Sequence, residues 1–165
     1  MSLTGQVGVV TTNPGWYGRW VQKITRSDAF HTVYAISDTE VVSAETPTVI
    51  IRPIGFFADV QWTDVTYPTP AHLNDAVRFV RAQVGKPYAY FDILLLFIAE
   101  LLKEHTPWFI KNRLTDNGQW FCSELSDAGL LAGEVNLFPT RPPSAVIPKD
   151  FLDIVTQEHA KASDQ

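Results

Sequence analysis

Phe30-His31-Thr32-Val33-Tyr34-Ala35-Ile36, then Ser37-Asp38-Thr39, then Glu40-Val41-Val42-Ser43-Ala44-Glu45, reads as two strands around a turn. β-Branched and aromatic residues crowd both runs, and the polar triplet between them supplies the reversal. The first run carries an ionisable ring, His31, among apolar neighbours, a position that calls for a hydrogen-bonding partner or a chemical purpose. Because side chains alternate across a strand, Ser43 and Glu45, two positions apart, share one face. Either reaches the far imidazole nitrogen if the hairpin register sets it opposite His31.

Outward from this hairpin, Gln6 to Thr12 is a β-branched run that stops at the Asn13-Pro14-Gly15 turn. Trp16, Trp20, Val21 and Ile24 recur at helical spacing and predict an amphipathic helix over 16–25. Thr48 to Ile54 and Val60 to Thr66 are two further strands. Past Pro68 the pattern turns helical: Thr69 caps a helix that opens on Pro70, and Leu73, Ala76, Val77 and Val80 follow until Gly85 stops it. A helix is expected over Phe91 to Lys103, another from Cys122 to Leu131, and a last one opening at Pro148 before a polar tail from Glu158. A strand block before a helix block predicts one α+β domain over residues 1–157, with 158–165 as the tail.

Composition narrows what such a domain does. With 165 residues, 45% of them hydrophobic and 19% charged, the chain has the profile of one globular core. Thirteen Lys and Arg against eighteen Asp and Glu leave a formal charge of -5, which disfavours a partner held through its phosphates, so no nucleic acid is expected. The sequence shows no Gly-rich phosphate loop and no metal-ligand spacing, so neither cofactor nor metal is expected. Met1 to Val10 lacks the basic start and long apolar stretch of a secretory signal, and the expectation is a protein that is cytoplasmic at synthesis. The apolar run Ile93 to Ala99, flanked by Asp92 and Glu100, falls short of the ~18 residues of a spanning helix. The Phe91 to Leu102 helix is therefore expected to be buried, or to touch a membrane or partner without crossing; the sequence leaves the oligomeric state open.

A single cysteine, Cys122, rules out an internal disulfide and any multi-thiolate metal site. On residue type alone Cys122 is a small buried hydrophobe and His31 a hydrogen-bonded core histidine, since free cysteines are among the most buried side chains. Position argues the other way: Cys122 falls where a polar loop turns into helix, and free amides there favour the thiolate. A nearby base and an orienting group would complete a nucleophile, base and orienter. His72 lies in the first turn of a surface helix, His105 before Pro107 and His159 in the tail, and only His31 sits inside an apolar strand, which makes it the candidate for that base. Ser123 and Glu124 read as first-turn helix residues, and most of the five tryptophans as core packing, with the lining of an acyl or sugar cleft as the alternative.

Gly85-Lys86-Pro87-Tyr88-Ala89-Tyr90 and Phe121-Cys122-Ser123-Glu124-Leu125 resemble the GxPY and CSxL words of the NlpC/P60 superfamily of papain-like cysteine peptidases. Here the histidine strand precedes the cysteine helix, the reverse of ordinary members, and this order is similar to the circularly permuted, YiiX-like branch. Ser27-Asp28-Ala29-Phe30-His31 matches the branch's Ser-x-x-His word loosely, and Ala89 replaces the usual Asp of GKPYDY. The resemblance extends from about Gly5 to Phe151. It implies a papain-like fold in permuted order, an antiparallel sheet packed against helices, with Cys122 as nucleophile and His31 as general base. It sets the family's Glu-Ala against Ser43-Ala44. Glu45 is favoured as the third group, because a carboxylate both orients the ring and stabilises imidazolium, with Ser43 as the alternative. Tyr88 would lie near the thiol, and the backbone amide of Cys122 would donate to an oxyanion.

The activity so implied is hydrolysis of an amide by a thiol, with a bacterial cell-wall peptide as substrate. The source would be bacterial or phage, the enzyme released at lysis or carried in a virion. Two alternatives stand beside it. A lipid ester or thioester hydrolase or acyltransferase of the lecithin:retinol-acyltransferase-like type also places His before Cys, but its Asn-Cys-Glu-His word is replaced here by Phe121-Cys122-Ser123-Glu124. A catalytically silent binding or assembly module would keep the fold without the chemistry.

Overall fold

A computed structural model describes residues 2–12, 15–88 and 119–163. The hairpin forms: β2 (His31–Ala35) and β3 (Glu40–Ala44) pair antiparallel with Val33 opposite Ser43 and Ala35 opposite Val41. β1 (Val7–Val10) lies on the other side of β2, β4 (Val49–Pro53) beyond β3, and β5 (Val60–Trp62) beyond β1. The result is a five-stranded antiparallel sheet in the order β4-β3-β2-β1-β5. Around it run α1 (Trp16–Thr25), α2 (Pro70–Arg81), α3 (Cys122–Ala132) and α4 (Pro148–Ser163), with short 3-10 turns at Ile54–Phe56 and Pro143–Ala145. The architecture is α+β, as the strand-then-helix pattern predicts.

The two faces of the sheet are covered differently. Val7, Val9, Tyr34, Val42 and Ala44 point to one face and pack against Ala76 and Val80 of α2, Leu125 and Leu130 of α3, and Phe151 and Val155 of α4. Leu125 and Leu130 are almost fully buried, and each such side chain contributes about 1.5–3 kcal/mol on leaving water. α3 comes close to the sheet because Gly129 has no side chain: a Cβ there would fall 2.5 Å from Val80 Cγ2 and 3.0 Å from Tyr34 Cε2. Val10, Val33, Ala35 and Val41 form the opposite face, and their cover is Leu3, Phe30, Ile54, Phe57, Val60 and Trp62. Those residues come from strands, loops and a 3-10 turn.

Element ends follow local chemistry. The Thr69 hydroxyl accepts from the His72 amide and Pro70 opens α2, as expected. Gly85 ends the turn after α2 at φ +86, a left-handed conformation that a side chain disfavours. β5 stops at Trp62 rather than at Thr66, because the Gln6 side chain takes over the pairing. Its Oε1 accepts from the Val65 amide at 2.8 Å and its Nε2 donates to the Val65 carbonyl at 2.9 Å. α4 runs through the polar segment from Glu158 as far as Ser163, and the Glu158 carboxylate accepts from the Asp64 amide at 3.1 Å. The helix expected over Phe91 to Lys103 lies outside the described residues, as do Asn13-Pro14, Ala89, Tyr90 and His105. Among the described residues no helix is long and apolar enough to cross a membrane.

Candidate active site

Cys122 is the first residue of α3. The residue before it, Phe121, is extended and offers no side-chain cap, so the free amides of the first turn have no local competitor for an acceptor. The sulfur lies among them: the amides of Cys122 and Ser123, with the amide and hydroxyl of Thr32 from the sheet, favour the thiolate. The position of Thr32 follows from the register. The β2–β3 ladder ends at Val33 opposite Ser43, and Thr32 is the next residue of β2 towards its start. Two further bonds pin this turn. The Ser126 hydroxyl lies 3.1 Å from Thr32 Oγ1 and donates to the Cys122 carbonyl at 3.0 Å. The Ser123 hydroxyl donates to the Val146 carbonyl at 2.6 Å.

His31 precedes Thr32, and alternation sends its ring to the other face of the sheet, with Val33 and Ser43. There Nε2 lies 2.7 Å from Ser43 Oγ, with Ser43 wholly buried and His31 only 9% exposed. The ring also meets Phe57, centroid to centroid at 5.5 Å, and Phe30 at 6.4 Å. Burial pulls the His31 pKa down to about 4, against the opposing charge of Glu45. Burial pushes the Cys122 thiol up, against the bonds from Thr32, Ser123 and its own amide. At neutral pH the resting site therefore holds a thiol and a neutral imidazole. Among the described residues no hydrogen bond joins Cys122 to His31: the sulfur faces Thr32 on one side of the sheet, and the ring of the residue before it lies with Ser43 on the other.

The two candidates for the third group separate clearly. Ser43 bonds the imidazole. Glu45, the favoured one, is instead held by Arg52, whose Nη2 donates to Oε2 at 2.9 Å and whose Nε donates to Oε1 at 3.3 Å. Glu45 acts on His31 through its charge alone. A fork of two donors seven residues downstream outcompetes a single imidazole nitrogen for a carboxylate. Tyr88 is buried in the main core and sits across a parallel bridge from Trp120, two residues before Cys122, which places it beside the segment that carries the thiol.

Sequence reasoning passed over Thr32, Ser126, Arg52 and Phe57. Ser126 carried a usable signal, since it lies one helical turn after Cys122 and shares its face. Phe57 carried none, because its contact with His31 depends on how the chain crosses the sheet. Among the described residues no group of three or more His, Cys, Asp or Glu could hold a metal ion. No protein-family model matches the chain, and no curated protein matches it.

Proposed function

We propose that this chain is a thiol hydrolase with a papain-like fold in circularly permuted NlpC/P60 order, acting on an amide bond of a bacterial cell-wall peptide. The observation that carries the reading is a cysteine at the first position of a helix, set against the strand whose His31 places Nε2 2.7 Å from Ser43 Oγ on the other face of the sheet. With Nε2–H donating to Ser43, the other ring nitrogen, Nδ1, keeps its lone pair and is the base. In the proposed reaction Nδ1 takes the thiol proton as Sγ attacks the carbonyl carbon, a step that requires the ring to turn from the Ser43 side of the sheet to the side that holds the sulfur. The imidazolium then returns that proton to the departing amine, leaving a thioester on Cys122. Water, deprotonated by His31, cleaves the thioester and restores the thiol. Because burial holds the resting pair neutral, the proton moves during attack rather than before it. The backbone amide of Cys122, free at the helix start, is the proposed donor to the developing oxyanion.

The test is incubation of the purified protein with peptidoglycan sacculi and defined muropeptides, read by mass spectrometry of the released fragments, alongside a fluorogenic acyl ester. Release of peptide by the wild type and its loss in Cys122→Ala is the expected result. Ester cleavage without peptide release moves the assignment to a lipid ester or thioester substrate. A second reading, the catalytically silent module, is favoured by the opposed shifts of the two groups and by the absence of a hydrogen bond between them. Cleavage of neither substrate class by the wild type selects it.

A further inference from the structure

The link from β4 to β5 crosses the whole sheet. These two strands are the opposite edges of the sheet, and only residues 54–59 join them. The register makes the crossing diagonal, because Pro53 pairs with Glu40 at one end of the strands and Val60 pairs with Val10 at the other, the end where His31 sits. On a flat sheet, four strand spacings and the length of a four-residue strand amount to roughly 22 Å. The link contains a 3-10 turn, whose rise is only about 2 Å per residue, and its whole reach is roughly 20 Å. The sheet must curl for the ends to meet.

Both ends are also tied. The Ile54 amide donates to the Thr39 carbonyl at 2.9 Å, and the Thr12 hydroxyl donates to the Ala58 carbonyl at 2.9 Å. Between these ties the strap lays Phe57 against the His31 ring. Phe57 is held edge-on by Phe56, centroids 5.0 Å apart at 84°. Phe56 is itself 55% exposed, and the Arg52 guanidinium stacks on it at 4.3 Å while Glu45 holds that guanidinium. A chain of contacts thus runs from Glu45 through Arg52, Phe56 and Phe57 to His31.

We infer that Phe57 is a side-chain gate over His31, carried on a strap tied at both ends, and that the contacts from Glu45 through Arg52 to Phe56 hold the gate shut. With its backbone tied at Ile54 and Ala58, the strap holds its place over the sheet, and access from this face comes from rotation of the Phe57 ring. In a working hydrolase, the strap then decides when the base is reached; this consequence rests on the proposed role of His31, but the gate itself does not.

Carbethoxylation of histidine by diethyl pyrocarbonate, followed by peptide mapping, tests the gate without any catalytic turnover. His72 and His159 lie away from the strap and serve as internal controls for folding. Phe57→Ala is expected to raise the modification rate of His31 by about tenfold, and Phe56→Ala by a smaller factor, with the control rates unchanged. An unchanged rate at His31 in Phe57→Ala, with unchanged controls, overturns the inference. Should the controls accelerate too, Phe57→Leu decides, since it keeps apolar volume but loses the flat ring: faster His31 modification supports the gate and an unchanged rate overturns it. Because no substrate is involved, a protein that hydrolyses nothing can still show the gate, and an active enzyme can still lack it.

Discussion

Ser43 and Glu45 both face the imidazole side of the sheet, and the choice between them is made by partners rather than by position. That they share a face follows from their spacing, and the sequence shows it. That Glu45 is taken by Arg52 does not, because the pairing depends on how β4 folds back beside β3. The functional consequence is measurable. Ser43→Ala leaves His31 Nε2 unpaired in a buried site and is expected to cost about 1–3 kcal/mol by urea denaturation. It is also expected to lower kcat well below the value for Glu45→Gln, which leaves the hydroxyl in place. Equal losses of kcat in the two variants would remove Ser43 from its role as the group that holds the ring. Cys122 shows the same division: its place at a helix start is legible, while the burial that holds it protonated comes from the core around it.

At the scale of elements, starts were more legible than ends. The α2 cap depends on Thr69 and Pro70, adjacent in sequence, and both sequence and structure put it there. The end of β5 depends on a glutamine some sixty residues earlier, which no local pattern reveals. The spacing between α3 and the sheet depends on Gly129, which sits in mid-helix where glycine is otherwise unfavourable. Helix propensity alone would favour alanine there. The close approach of Val80 and Tyr34 reverses that expectation, and Gly129→Ala is predicted to destabilise by about 1–3 kcal/mol through overpacking. A midpoint of urea unfolding equal to or above that of the wild type would show that the helix shifts freely and that its contact with the sheet does not fix the position of Cys122.

For the whole molecule, two buried groups set opposite pH dependences. His31 titrates at about 4 when folded and near its ordinary 6.5 when unfolded, so its contribution to stability is full above 6.5 and lost as pH falls towards 4. Asp127, buried on α3 with Oδ1 lacking a hydrogen-bond partner, is pushed up to about 6 from an ordinary 3.8, chiefly by burial. Its contribution runs the other way: full below 3.8 and lost as pH rises towards 6. The two slopes oppose each other between pH 4 and 6. Asp127→Asn is expected to leave the His31 slope uncovered, so that the variant gains stability relative to the wild type as pH rises through this window. The limit for one proton is about 1.4 kcal/mol per pH unit. Parallel pH profiles for wild type and variant, from urea unfolding, would place the Asp127 carboxyl in an ordinary environment.

The sequence by itself determined the α+β class, the hairpin with its histidine, the helix starts at Pro70 and Cys122, and the set of side chains from which a site could be drawn. Those features rest on periodicity, caps and turns, which act over a few residues. Only the tertiary structure decided that Ser43 rather than Glu45 bonds His31, that Thr32 meets the sulfur, and that Phe57 covers the ring. Each of these depends on strand order and on a strap that crosses the sheet. Contacts between residues far apart in the chain are set by how the whole sheet closes, which no local run of residues encodes.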